Sequence, residues 1–156
     1  MTSTGQATVD EGRYTVSRTV VINATRDRVW QALTDPEHIA KWFGQRAVID
    51  SLTVGARGVF SWDEHGDMPL EIIEVDEPDR FGYRWGHLGE PDLARGTDVR
   101  FTLRELGGST ELTVVETGFD RVSDVESERR DALEGNRQGW NAELDELVAY
   151  LEAKAA

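Results

Sequence analysis

The hydrophobic positions change period three times along the chain. From Tyr14 to Ile22 they recur at every second residue, so that Tyr14, Val16, Val20 and Ile22 share one face of a strand. Arg18 falls on that face and is its odd polar member. Val29, Trp30 and Leu33 then repeat at helical spacing, with Asn23 or Thr25 placed to cap the helix. Asp35-Pro36-Glu37 restarts the pattern: Asp35 suits an N-cap and Pro36 the first helical position. Ile39, Trp42 and Phe43 give this second helix its apolar side, and Gly44 ends it. The spacing predicts two short helices joined end to end.

Period two returns from Arg46 to Thr117. It predicts strands over 46–51, 55–63, 68–75 and 81–85, then around 99–103 and 112–116. Turns fall at 63–67, at 76–79 and at Gly107-Gly108, and a longer loop runs over 86–96. Consecutive strands of this kind form an antiparallel meander. After Gly118 the period returns to 3.6. Leu133, Trp140, Leu144, Leu147, Val148 and Leu151 mark one side of a long C-terminal helix, whose opposite side is Glu, Asp and Arg. Gly135 and Gly139 interrupt it, and a glycine there suits close approach by another element.

Residues 1–12 are polar and are expected to form a flexible leader; residues 13–156 are expected to form a single domain. An antiparallel sheet must bury its apolar face, and the C-terminal helix is the one long amphipathic element available to cover it. The expected architecture is α+β: a curved antiparallel sheet of about seven strands around that helix, with two short helices after the first of these strands. A gap between the ends of such a sheet and its helix is a place for a small molecule.

Composition removes several function classes. Seventeen Lys and Arg against thirty Asp and Glu leave a net charge of −13. A chain this acidic is not helped onto a phosphate backbone by counterion release, and anionic membrane surfaces repel it. Neither nucleic-acid binding nor membrane insertion is expected. There is no cysteine, which excludes disulfides, thiolate catalysis and cysteine-held metal. Met1 to Gly12 has no apolar stretch of signal length, and no run approaches the ~18 apolar residues of a membrane span, so a cytoplasmic location is expected. No His/Asp/Glu set has metal-ligand spacing. No phosphate loop, dinucleotide fingerprint or Ser–His–Asp order occurs, and no metal or cofactor is expected.

Ala24 to Gly44, written ATRDRVWQALTDPEHIAKWFG, resembles the opening signature of the SRPBCC (START-like) superfamily. It is most similar to the branch named after the C-terminal domain of the activator of heat-shock protein 90 ATPase, through Ala24-Thr25, Val29-Trp30, Thr34-Asp35-Pro36 and Trp42-Phe43. Thr25 stands where that branch usually has proline. Glu74 to Pro78 followed by Phe81 to Trp85 is similar to the central strand pair, and Val99 to Phe119 to the last hairpin. Gly139-Trp140 with Leu144 and Leu147 resembles the closing helix. The resemblance covers roughly residues 14–152. It implies a helix-grip fold with a cavity between sheet and helix. It also implies a range of roles: carriers of lipids, sterols and other hydrophobic molecules, and cyclases or dehydratases acting on polyketides.

The candidate chemistry lies in polar residues on faces that pattern as buried. Glu116 shares the face of Leu112 and Val114 and is either a cavity acid, base or ligand anchor, or a carboxylate at the rim in water. Arg18 is either a cation in the cavity, paired with Glu116 or with an anionic ligand, or an edge residue turned outward. His87, which follows Trp85, and Tyr83 are further acid–base candidates beside Glu116, with solvent-exposed loop histidine as the alternative for His87 and for His65. His38 reads as a surface helix residue. Asp63, Glu64 and Asp67 fit a solvated turn. Phe60, Trp62, Tyr83, Trp85, Phe101 and Trp140 are candidates to line an apolar pocket, and ordinary core packing is their alternative. The reading favours binding of a small hydrophobic or amphipathic molecule, with a cyclase/dehydratase-like enzyme and a chaperone-linked interaction protein as alternatives. A homodimer is a further expectation for its partners.

Overall fold

The computed structural model describes residues 3–64, 66–86 and 93–155. His65 and His87 lie outside them, as does most of the expected 86–96 loop. The chain runs β1 (Ser3–Thr4), β2 (Thr8–Asp10), β3 (Thr15–Ile22), α1 (Arg26–Thr34), α2 (Pro36–Trp42), β4 (Arg46–Ile49), β5 (Arg57–Trp62), β6 (Gly66–Asp76), β7 (Arg80–Trp85), β8 (Thr97–Leu106), β9 (Ser109–Thr117), a single 3-10 turn (Phe119–Arg121) and α3 (Glu126–Ala155). The strands form one antiparallel sheet in the order β1-β3-β9-β8-β7-β6-β5-β4, with β2 also on β3. This is the helix-grip arrangement: an α+β fold with the sheet curved around α3.

Among the described residues nine strands stand where about seven were expected. The two extra are β1 and β2, inside the stretch read as a leader. Ser3 pairs with Val21 and Thr8 with Ser17, so both lie along the free edge of β3. Pairs of two and three residues are too short to show a period, and what places them is the unpaired backbone of that edge.

The local rules explain the helices. Thr25 caps α1, its hydroxyl accepting from the Arg28 amide at 3.4 Å. Asn23 instead accepts from the Ser109 hydroxyl at 2.9 Å. Asp35 ends α1 and caps α2, its carboxylate accepting from the Glu37 amide at 3.0 Å while Pro36 takes the first position. The two helices are locked at an angle by Trp42, whose indole N–H donates to the Ala32 carbonyl at 2.7 Å. Phe43 follows directly and is thereby aimed between sheet and α3.

In the sheet, buried and open positions alternate through β3, β8 and β9, because one face meets the core and the other meets water. The outer face is laced by ion pairs such as Arg84–Asp98 at 2.6 Å and Arg104–Glu111 at 3.0 Å. A register shift between Ile72 and Glu74 bends β6 against β7. Gly107 adopts φ 62 in the two-residue turn that joins β8 to β9, a conformation that favours glycine. Leu133, Trp140, Leu144, Leu147 and Leu151 of α3 are buried against the inner face. Each such side chain contributes ~1.5–3 kcal/mol through the apolar area it removes from water.

Candidate functional site

The long helix does not close on the sheet along its whole length. Near its middle a cavity of about 370 Å³ opens between α3 and the strand ends. The sheet contributes Trp62, Met68, Trp85 and Thr97, and Gly86 and Gly96 border it just beyond the ends of β7 and β8. Phe43 projects from the end of α2, and Phe119 and Val122 from the 3-10 turn. Ala132, Asn136, Gly139, Trp140 and Glu143 come from one face of α3, at the i, i+4, i+7, i+8, i+11 spacing of a helical stripe.

The aromatic wall is ordered by stacking. Phe43 lies near-parallel to Trp85 and to Trp140, with ring centroids 5.7 and 5.9 Å away, and Trp85 lies near-parallel to Trp140 at 5.9 Å. Trp62 meets Phe43 edge-on at 5.5 Å and donates its indole N–H to the Phe43 carbonyl at 3.0 Å.

Behind this wall lies Glu116, fully buried. One carboxylate oxygen accepts from the Trp140 indole at 2.8 Å and the Asn136 amide at 2.9 Å. The other accepts from the Trp85 indole at 2.9 Å, the Thr97 hydroxyl at 2.5 Å and the Asn136 amide at 3.0 Å. Thr97 also accepts from Trp85 at 2.9 Å. Every group turned to Glu116 is a donor, and an ionised carboxylate offers acceptors only, so the match is complete. These donors come from β7, β8 and α3, and Glu116 ties the three elements together.

Arg18 is also buried, at 2% exposure, but it does not meet Glu116. Its guanidinium donates to the Gly5 carbonyl at 2.6 Å, the Trp140 carbonyl at 3.1 Å, the Asn141 carbonyl at 2.7 Å and the Asp145 carboxylate at 2.6 Å. The anticipated Arg18–Glu116 pair is therefore replaced by a clamp from β3 to α3 and to the chain between β1 and β2. The reason is reach: Arg18 stands opposite Val114, two pairs along from the Val16–Glu116 pair, and the α3 acceptors lie within hydrogen-bond distance of it.

Of the expected lining residues, Trp62, Trp85 and Trp140 border the cavity. Glu116 stands behind it. Phe60, Tyr83 and Phe101 form the layer beneath, Tyr83 packing on Phe60 at 5.5 Å, on Trp85 at 5.3 Å and on Phe101 at 6.2 Å. Burial, with the charges of Glu116 and Glu143, pushes the Tyr83 phenol well above the ordinary phenol range. Gly139 has no close neighbour within 4 Å of where a side chain would begin, so the close approach expected there is absent and the glycine instead leaves room in the cavity.

Glu143 was not singled out from the sequence. It borders the cavity, and burial, reinforced by Glu146 on the same helix, pushes its carboxyl up to about 7. A signal existed: Asn136, Trp140 and Glu143 share a helix face. Glu143 reads as part of the acidic solvent side only if the boundary of the apolar stripe is drawn too narrowly. Among the described residues, no group of three or more His, Asp or Glu is arranged to hold a metal, and no helix is long and apolar enough to cross a membrane.

A sheet gripping one long helix, with a cavity held open beneath that helix, defines a START-like protein of the SRPBCC superfamily. Within it the chain belongs to the family of Activator of Hsp90 ATPase homolog 1-like proteins, whose model matches residues 23–152. The fold is similar to that of DynU16, a protein of the dynemicin biosynthetic locus, with 29% identity, a TM-score of 0.71 and 88% of this chain covered. This chain spans 47% of the length of DynU16. Protein MLL2253 from Mesorhizobium loti matches with 27% identity and a TM-score of 0.70, covering 87% of this chain and 98% of that one. The Aha1 dimer from Colwellia psychrerythraea shares the fold at 18% identity and a TM-score of 0.70, covering 88% and 96%. No significant match was found among curated protein sequences.

Proposed function

We propose that the protein binds a small hydrophobic or amphipathic molecule in the cavity between the sheet and α3. The observation that carries this reading is an opening of about 370 Å³ walled by three tryptophans and two phenylalanines, a volume in the range of small-molecule sites. A core that needed only stability would fill such a space, since an empty apolar void forfeits packing energy. Glycine at position 139 supports the same reading, because it keeps the helix face clear at a cost of ~1 kcal/mol relative to alanine in a helix interior.

Native mass spectrometry of the gently purified protein, compared with the denatured chain, tests it. A reproducible additional mass that leaves on denaturation and is absent from Gly139→Leu supports cavity binding. A protein that carries no such mass and also fails to bind neutral apolar probes overturns it.

The enzyme alternative is favoured by one specific observation. Glu143 borders the cavity with its carboxyl raised to about 7, where an acid–base group is most effective near neutral pH. In that reading Glu143 replaces Glu116 as the proton-transfer group, because Glu116 is sealed behind Trp85 and Trp140. The chaperone-linked alternative draws on the family description, and the homodimer on the Colwellia neighbour. Light scattering of the purified chain tests the latter.

A further inference from the structure

The polar groups of the cavity wall are sorted by direction. The Trp85 and Trp140 indole N–H groups, the Thr97 hydroxyl and the Asn136 amide N–H all turn away to Glu116, and the Trp62 indole N–H turns to the Phe43 carbonyl. Each side chain among the described lining residues that carries a donor thus already gives an N–H or O–H to a protein acceptor, and only the second N–H of the Asn136 amide has no acceptor of its own. What remains for a ligand is aromatic surface, the acceptor oxygen of Asn136 and the carboxyl of Glu143, for which no hydrogen bond or ion pair exists among the described residues. Two cations stand beside the described lining without forming part of it, and both are held by protein acceptors, although the buried Arg121 Nε has no hydrogen-bond partner among the described residues. Arg121 faces the Gly96 carbonyl at 3.0 Å and Asp98 at 3.6 Å, and Arg95 faces Asp124 at 3.4 Å.

Resting on the cavity reading above, we propose that this site selects aromatic or apolar molecules that carry an amine, held as an ammonium against Glu143 and the faces of the tryptophans, over the same skeletons carrying a carboxylate. An ammonium finds a carboxylate, a carbonyl acceptor and electron-rich ring faces that attract cations. A carboxylate ligand finds, among the described lining side chains, at most one Asn136 N–H not given to Glu116, and a like charge in the same desolvated space. The net charge of −13 adds to the preference at long range but gives it no location. The asymmetry originates at Glu116. By collecting donors from four side chains on the far side of the wall, it leaves acceptors predominant on the near side among the described residues.

The test uses three probes on one skeleton: 2-naphthylmethylamine, 2-methylnaphthalene and 2-naphthoate. Their dissociation constants are measured by quenching of tryptophan emission and checked by calorimetry at about pH 8, in 0.15 M salt to screen the long-range field. The amine is expected to bind at least about tenfold more tightly than the carboxylate, and Glu143→Gln is expected to reduce that ratio to about threefold or less. Binding of the neutral probe without any preference for the amine over the carboxylate overturns the selectivity and leaves the cavity reading standing. Failure of all three probes to bind overturns the cavity reading itself. A preference that persists undiminished in Glu143→Gln also overturns the proposal, because it assigns the effect to the overall charge of the protein and not to this wall.

Discussion

Replacing Glu116 by glutamine tests how the site is held open. The change is nearly isosteric, so its cost comes from donors and acceptors and not from volume. The amide has one acceptor and one donor where the carboxylate had two acceptors. If the amide nitrogen takes the place now facing Trp140, that indole meets another donor at the present 2.8 Å and has no second partner. If the nitrogen takes the other place, Trp85 keeps its bond to Thr97 at 2.9 Å, and the Thr97 hydroxyl must turn from donor to acceptor. The second arrangement is the cheaper, and it still weakens the charge-assisted bonds from Trp140 and Asn136. A stranded buried donor costs ~1–3 kcal/mol, and relief of a buried charge offsets part of the loss, so Glu116→Gln is expected to destabilise by ~1–3 kcal/mol. Glu116→Ala, which leaves both indoles facing a void, is expected to cost ~3–5 kcal/mol. Urea denaturation followed by tryptophan emission measures both, and near-ultraviolet circular dichroism reports the packing of the two indoles it touches among five. A Glu116→Gln protein within about 0.5 kcal/mol of the parent, with an unchanged near-ultraviolet spectrum, would refute the idea that this carboxylate organises the wall. The same substitution is a poor discriminator between enzyme and carrier. It moves Trp85 and Trp140, so either activity would fall with it.

Three further outcomes follow from the site. Glu143 holds its proton up to about pH 7 in the folded chain, against an ordinary value of 4.5, with Glu146 beside it on α3 and Tyr83 coupled to it from β7. Between those values the unfolded chain binds fewer protons, so stability falls as pH rises through the window, by ~1–2 kcal/mol after allowance for solvent screening; Glu143→Gln should flatten that limb in urea titrations compared across pH. Arg18→Ala is expected to cost ~2–4 kcal/mol and to raise amide exchange in residues 3–10, because it unpins Gly5 as well as α3; unchanged exchange there would show that β1 and β2 are held by backbone pairing alone. Gly139→Ala should stabilise by up to ~1 kcal/mol in thermal melts while weakening binding of the neutral naphthalene probe, since the added methyl enters open space.

The strand faces were legible because one side of the sheet meets the core and the other meets water, which writes period two directly into residues 15–22, 97–106 and 109–117. The capping residues at 25 and 35 were legible for the same kind of reason: each satisfies amides only a few positions away. What was not legible depended on partners distant in sequence. The buried face of Glu116 could be read, but its donors lie 19 to 31 residues away on three different elements. Arg18 finds its carboxylate 127 residues away, on a helix position that periodicity assigns to solvent. β1 and β2 were invisible because strands of two and three residues carry no period. Glu143 was missed because charge was taken as a mark of the outer face, whereas a cavity makes part of the inner face polar.

The two charged residues on the inner face act on the same turn of α3. Trp140 is held twice, its indole by Glu116 and its carbonyl by Arg18, while Asn136 is tied on one side and Asn141 and Asp145 on the other. Glu116 and Arg18 come from the adjacent strands β9 and β3, so opposite charges on neighbouring strands pin one turn of the helix without neutralising each other. Beyond that turn, Leu144, Leu147 and Leu151 pack onto the sheet without a gap. Before it, Ala132, Asn136 and Gly139 stand over the cavity. The pin therefore holds the stretch of α3 from Ala132 to Glu143 that borders the cavity, with the packed Leu144, Leu147 and Leu151 among the residues that follow. The direction of the donors at this turn also decides what the roofed space can accept. With Arg18 engaged by the Gly5 carbonyl and by α3, both Glu116 oxygens are given to the indole, hydroxyl and amide donors of the wall, and those donors face the carboxylate and not the cavity.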